Sequence, residues 1–233
     1  MRVNLEIWKE DFSERKTPMQ TQLVIFDLDG TLLDTLLDLQ ISVNAALATQ
    51  TFPPRSLAEV RSFVGNGIRL LVERAVPAAA TPAQVDAVFA AFNENYAIHC
   101  SDHTRPYDGV CELLDQLHAD GVKTAVVSNK ADYAVQSLCA HYFPGKIDFT
   151  VGARDGVRKK PAPDAVLEVL KTLGVPENRA IYVGDSDVDV RTAQNAKLAC
   201  IAVDWGFRDR SVLEQAGAST IVSTPAALYA KLR

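Results

Sequence analysis

Five short apolar runs punctuate the chain, at Leu23–Phe26, Val122–Val127, Ile147–Val151, Ala180–Val183 and Ala199–Val203, and helical patterns separate most of them. A run apolar on both sides has to be covered on both, so this alternation predicts an α/β fold: a parallel sheet with helices on its two faces. Between Asp108 and Asp120, Val110, Leu113, Leu114 and Leu117 mark one helical face, and Asp120-Gly121 closes the segment just before the next strand.

Residues 36–104 break this rhythm. Leu39, Val43, Ala46 and Leu47 share one helical face, while Val85, Val88, Phe89, Phe92 and Tyr96 share another. "SLAE" from Ser56 to Glu59 and "TPAQ" from Thr81 to Gln84 have capping-box spacing, the second with Pro at the first helical position. The stretch reads as a helical insertion into the α/β core, which then comprises residues 22–35 and 105–233, leaving residues 1–21 as an N-terminal extension or tail. "TLLDT" and "TRPYDG" are the natural hinges, and paired hinges would let the insertion open and close over the strand ends, where open α/β sheets bind ligands.

Composition narrows the class of partner. The chain has 233 residues, 48% hydrophobic and 23% charged, which suits a soluble globular protein. A formal charge of −5, with no sustained basic block, gives a nucleic acid or an anionic membrane no electrostatic support and leaves a small substrate as the default. No apolar stretch approaches the roughly 18 residues a membrane helix needs, and the N-terminus lacks the apolar core of a secretory signal, so a cytoplasmic location is expected. Cys100, Cys111, Cys139 and Cys200 lack CxxC spacing and read as reduced thiols. No heptad pattern decides between a monomer and a homodimer.

The strand exits carry the chemistry. The first run continues as "LVIFDLDGTLLDT", in which Asp27 and Asp29 would face the same side of an extended chain about 7 Å apart. The second ends at Ser128 and Asn129, "KKPAPD" brings Lys159 and Lys160 ahead of a helix, and Ala180–Val183 runs into "GDSDVD" with Asp185 and Asp189. Parallel strands would gather all four pieces on one edge. Four carboxylates without thiols form an oxygen-rich cluster better suited to Mg²⁺ than to zinc. Two unit charges ~4 Å apart interact by roughly 4 kcal/mol at an effective dielectric near 20, so such a cluster needs Mg²⁺ and a lysine before it can face an anionic substrate.

In this order, "DLDGT", "SNK", "KKPAPD" and "GDSDVD" resemble the four motifs of the haloacid dehalogenase superfamily, in its phosphatase branch, and the resemblance runs from residue 22 to about residue 230. It implies an α/β core with an inserted helical cap and a small phosphorylated metabolite as substrate. It further implies Asp27 as a nucleophile that forms an aspartyl-phosphate, and Asp29 as general acid and then base. Mg²⁺ would be held by Asp27, the Asp29 carbonyl and Asp185, supported by Asp189. Ser128, the Asn129 backbone N–H and Lys160 would bind phosphoryl oxygens, with Thr31 ordering the first loop. Lys160, not Lys159, directly precedes Pro as the family's lysine does. The superfamily's dehalogenases lack the second aspartate and its P-type ATPases carry Lys there, so Asp29 argues for an oxygen leaving group.

Within the insertion, "GNGIRLLVERA" resembles the phosphoglycolate phosphatase group, as do "RPYDGV" and "DWGF". That resemblance makes 2-phosphoglycolate the leading substrate and Gly65, Asn66, Gly67 and Arg69 candidate specificity residues. Two readings of them stand: donors to a small carboxylate over the site, or a helix N-terminus with a surface Arg. The alternatives are a phosphatase for a sugar phosphate, a nucleotide or pyrophosphate, a hexose-phosphate mutase, and a catalytically silent phosphometabolite-binding module. Phosphonate cleavage would need a cap lysine, and residues 36–104 contain none. His99 and His103 have the spacing of a helical metal pair without the Glu of "HExxH", and read as surface or hinge residues.

Overall fold

The computed structural model describes residues 21–233, so the expected N-terminal extension, Thr21 apart, lies outside the described residues. Six parallel strands form the main sheet: β1 (Leu23–Phe26), β4 (Lys123–Ala131), β5 (Phe149–Ala153), β6 (Ala180–Gly184), β7 (Ala199–Val203) and β8 (Ile221–Val222), in the order β5-β4-β1-β6-β7-β8. A separate antiparallel pair, β2 (Leu33–Asp34) and β3 (Arg105–Pro106), joins the two connections to the cap.

β1 lies at the centre, fully buried on both faces. Its alternate residues Val24 and Phe26 pack into one core with Leu113, Leu114 and Leu117 of α5 (Val110–Ala119), Leu138 of α6 (Asp132–Tyr142) and Leu228 of α10 (Pro225–Leu232). Leu23 and Ile25 face the other core, with Val166 and Val169 of α7 (Asp164–Leu173) and Ala193 of α8 (Asp187–Asn195). Period-two alternation in one strand thus fixes three layers. The chain builds outward from β1 to β4 and β5, then crosses back to β6 on the other side. That reversal puts the ligand crevice of an open α/β sheet at the carboxyl end of β1.

The cap is helical: α1 (Leu36–Ala48), α2 (Leu57–Phe63), α3 (Ile68–Ala75) and α4 (Pro82–His99) share a core that includes Leu39, Val43, Leu47, Val72, Val88 and Phe92. Both expected capping boxes form, Ser56 with Glu59 and Thr81 with Gln84, and Pro82 opens α4. The cap's base is clasped by Asp38 in the first turn of α1. Its buried carboxylate accepts hydrogen bonds from the His103 and Thr104 backbone N–H groups at 3.0 and 2.8 Å and from the Thr104 hydroxyl at 2.8 Å, with the His103 ring Nδ1 at 2.9 Å. Burial pushes the Asp38 carboxyl up, but these hydrogen bonds outweigh it and hold the group below its ordinary range. His103 therefore sits in the connection between cap and core, bonded to Asp38. His99 instead pairs with Asp102 at 2.8 Å.

Candidate active site

Register explains how distant segments meet. Phe26 sits opposite Val126 on one side and Val183 on the other, so the chain beyond all three strands emerges at one level. Asp27 continues that ladder, donating its N–H to the Val183 carbonyl at 2.9 Å. The loop then folds back on itself, with Leu32 N and Leu33 N both donating to the Leu28 carbonyl at 3.0 Å. Gly30 makes the turn possible: its φ is +88°, and a Cβ there would lie 2.3 Å from Asp185 Oδ2. Thr31 Oγ1 donates to Asp185 Oδ1 at 3.2 Å, tying the first loop to the fourth motif.

Lys160 is the hub. Its ammonium is 2.8 Å from Asp27 Oδ1, 2.8 Å from Asp189 Oδ1 and 3.1 Å from the Tyr182 hydroxyl, and its side chain is 3% exposed. Asn129 holds the lysine's backbone: its Oδ1 accepts from Lys160 N at 2.9 Å and its Nδ2 donates to Lys160 O at 3.1 Å. Asp189 is fully engaged, since its Oδ2 closes a capping box with Ser186 at the start of α8. Gly184 leaves room for it, because a Cβ there would lie 2.3 Å from Asp189 Cγ.

The aspartates are short of positive charge. Asp27, Asp185 and Asp189 each offer an oxygen within 4.8 Å of the others, and with Asp29 they face the buried ammonium groups of Lys160 and Lys130. Burial, and then the Asp189 and Asp27 charges, push the Asp185 carboxyl up to about 8. Asp27 rises to about 7 because burial outweighs the Lys160 ammonium, with Asp189 adding to the rise. A hard divalent cation on this all-oxygen set would supply the missing charge, so the residues fit one.

A cavity of about 50 Å³ lies above them, between core and cap. Its floor includes Asp27, Asp29, Ser128, Asn129, Lys160 and Asp185, and its cap side includes Leu39, Gly65, Gly67, Ile68 and Tyr96. Of the cap residues singled out in the sequence, Gly65 and Gly67 therefore line the cavity. Asn66 instead accepts a hydrogen bond from Arg74, at 3.0 Å. The Arg69 guanidinium, pictured above as a donor over the site, is bound to Glu73 at 2.7 Å and Asp86 at 2.6 Å on the exposed side of the cap. Two carboxylates of the cap itself hold it there, so the surface-Arg reading is the one the geometry supports.

A scan against family models matches residues 24–203 to the haloacid dehalogenase-like hydrolases. The chain belongs to that family. Within it, this hydrolase is 35% identical over 218 residues to a phosphoglycolate phosphatase of Pseudomonas syringae pv. tomato, covering 91% of this chain and 80% of the relative. It is also 35% identical to phosphoglycolate phosphatase 1 of Pseudomonas aeruginosa, covering 84% and 74%. A crystal structure from Lactobacillus delbrueckii subsp. bulgaricus, provisionally assigned as a phosphoglycolate phosphatase, superposes with a TM-score of 0.88 at 37% identity, covering 92% of this chain and 99% of that one. The hydrolase is thus a phosphatase, acting on a small phosphorylated substrate. No helix among its described residues is long and apolar enough to cross a membrane.

Four residues of the hydrolase's site escaped sequence reasoning. Lys130, the third letter of "SNK", places its ammonium 3.0 Å from Asp29 Oδ1 and 2.6 Å from the hydroxyl of Tyr96 in the cap. Tyr182 and Tyr96 sit at positions whose periodicity announces core, and both are core; only their hydroxyls turn to the site. Arg208, just after "DWGF", reaches across to the cap, donating to the Arg61 carbonyl at 3.0 Å and also to the Val64 carbonyl. The one available signal was "SNK" itself, where a lysine beside two polar residues at a strand exit has no core role.

Proposed function

We propose that this hydrolase is a Mg²⁺-dependent 2-phosphoglycolate phosphatase working through a phosphoenzyme on Asp27. The observation that carries the reading is Lys160, held 2.8 Å from Asp27 Oδ1 beneath a cavity between core and cap. An Asp27 oxygen attacks phosphorus as the ester P–O bond breaks, and Asp29 gives its proton to the departing alkoxide. Water then attacks the phosphorus of the acyl phosphate, Asp29 takes a proton from it, and Asp27 is released with inorganic phosphate. Lys160 and Ser128 offset charge on the phosphoryl oxygens. Asp27 and Asp185, with the Asp29 carbonyl, would hold Mg²⁺, which when bound neutralises the carboxylates against the incoming phosphate. Asp189 acts through Lys160 by orienting its ammonium.

The names of the relatives support the two-carbon substrate. A panel of phosphate esters assayed with Mg²⁺ tests it. The expected result is a kcat/KM for 2-phosphoglycolate at least about ten-fold above those for hexose phosphates, nucleotides and pyrophosphate, the discrimination that roughly 1.4 kcal/mol of differential binding gives. A ten-fold preference for any of the others would overturn the substrate while leaving the chemistry in place.

A further inference from the structure

Among the described residues, three cationic side chains line the cavity: Lys130, Lys160 and Arg208. Lys160 is committed to Asp27 and Asp189 on the phosphoryl side. Arg208 is committed to cap carbonyls and stands 3.9 Å from Asp187. Lys130 differs from both. Its side chain is 3% exposed, and it contacts one carboxylate, Asp29, and one phenol, Tyr96. Its three N–H donors go to Asp29 Oδ1 at 3.0 Å, Asp29 Oδ2 at 3.4 Å and the Tyr96 hydroxyl at 2.6 Å, and the long bond to Oδ2 is the one a ligand oxygen would displace.

Its position says which part of the ligand. Taking the proposed role of Asp29, the leaving oxygen of the ester lies against the Asp29 carboxyl, and Lys130 Nζ is 3.0 Å from that carboxyl on the cap side. Whatever group the leaving oxygen carries therefore extends toward Lys130. The wall around it is apolar, with Leu39, Ile68 and Leu71 from the cap and Phe207 from the core. In such a pocket one buried cation fixes the chemistry of what is accepted. An anionic oxygen attached one carbon from the ester oxygen would meet Lys130, and beside it the Tyr96 hydroxyl.

We infer that Lys130, assisted by Tyr96, is the specificity-determining residue, binding a carboxylate on the first carbon of the leaving group. The inference rests on the proposed phosphatase chemistry and deepens it. Because Tyr96 belongs to α4 and Lys130 to β4, the carboxylate would be read only where cap and core meet, so that recognition and closure coincide.

The test compares two esters that differ only at that position, 2-phosphoglycolate and 2-hydroxyethyl phosphate, in the wild type, K130M, K130R and Y96F, with Mg²⁺. The wild type should prefer 2-phosphoglycolate. K130M should shrink that preference roughly 10- to 100-fold, the range expected for one charge-assisted hydrogen bond, over and above any loss the two esters share through Asp29. K130R should restore part of the preference, and Y96F should lower it by a smaller factor. Thermal melts check folding; if K130M does not fold, K130Q, which can still bond Tyr96 and Asp29, takes its place. A variant that loses activity equally on both esters would overturn the inference and make Lys130 a positioning residue for Asp29. A preference unchanged in K130M would also overturn it, leaving 2-phosphoglycolate as substrate untouched. A wild type preferring 2-hydroxyethyl phosphate would overturn both readings.

Discussion

Asp185 shows how one residue joins fold to chemistry. It is 2% exposed, accepts Phe207 N at 2.7 Å and Thr31 Oγ1 at 3.2 Å, and lies so close to Gly30 that no side chain fits between them. Those bonds do not replace the water it gave up, and its carboxyl is pushed up to about 8. The sign of the linkage follows. A folded-state value above the unfolded one means that the native protein keeps protons the unfolded chain releases, so the contribution is fully present in acid and is lost as pH rises through about 7 to 8. Metal-free protein should therefore melt lower near pH 8.5 than near pH 5.5, and Mg²⁺ should raise the melting temperature more at the higher pH. An equal effect of Mg²⁺ at both values, or none, would contradict the charge shortage ascribed to these aspartates.

At the scale of elements, the connections between cap and core hold more structure than their sequence announced. "TLLDT" and "TRPYDG" pair as β2 and β3, and the Asp38 carboxylate ties the start of α1 to the second connection at His103 and Thr104. Removing it in D38A leaves the N–H and hydroxyl of buried Thr104 without their carboxylate partner and frees the His103 N–H, at a cost of about 2–4 kcal/mol. For a chain of this size that is a melting temperature roughly 5–15 °C lower, readable by calorimetry, and an unchanged melt would mean the clasp is not structural. The clasp was not legible because a lone Asp in a helix's first turn reads as ordinary dipole compensation. The capping boxes were legible because both halves lie within one turn. β8, two residues long, was not, since nothing in Ile221–Val222 distinguishes a short edge strand from a loop.

For the whole molecule, the sheet and its chemistry were legible for the same reason: apolar runs mark strands, and polar groups at their exits fall on one edge once the strands are parallel. The partners of those groups were not, because Lys160 with Tyr182, Asp29 with Lys130, and Lys130 with Tyr96 are contacts between segments far apart in the chain. Cap and core are joined by long-range contacts as well. Arg208 and Asn129 reach the cap backbone at Arg61, Val64 and Gly65, and a Cβ at Gly65 would come 3.2 Å from the Arg208 guanidinium, which would have to shift slightly to admit it. What the assembled molecule does with substrate is tested most directly at Asp27. Rapid acid quench of a turnover with ³²P-labelled 2-phosphoglycolate, followed by peptide mapping, should find a transient label on Asp27 that hydroxylamine removes, and D27N should show neither label nor turnover while still binding inorganic phosphate. Turnover by D27N, or wild-type hydrolysis with no protein-bound phosphate at any quench time, would contradict the account.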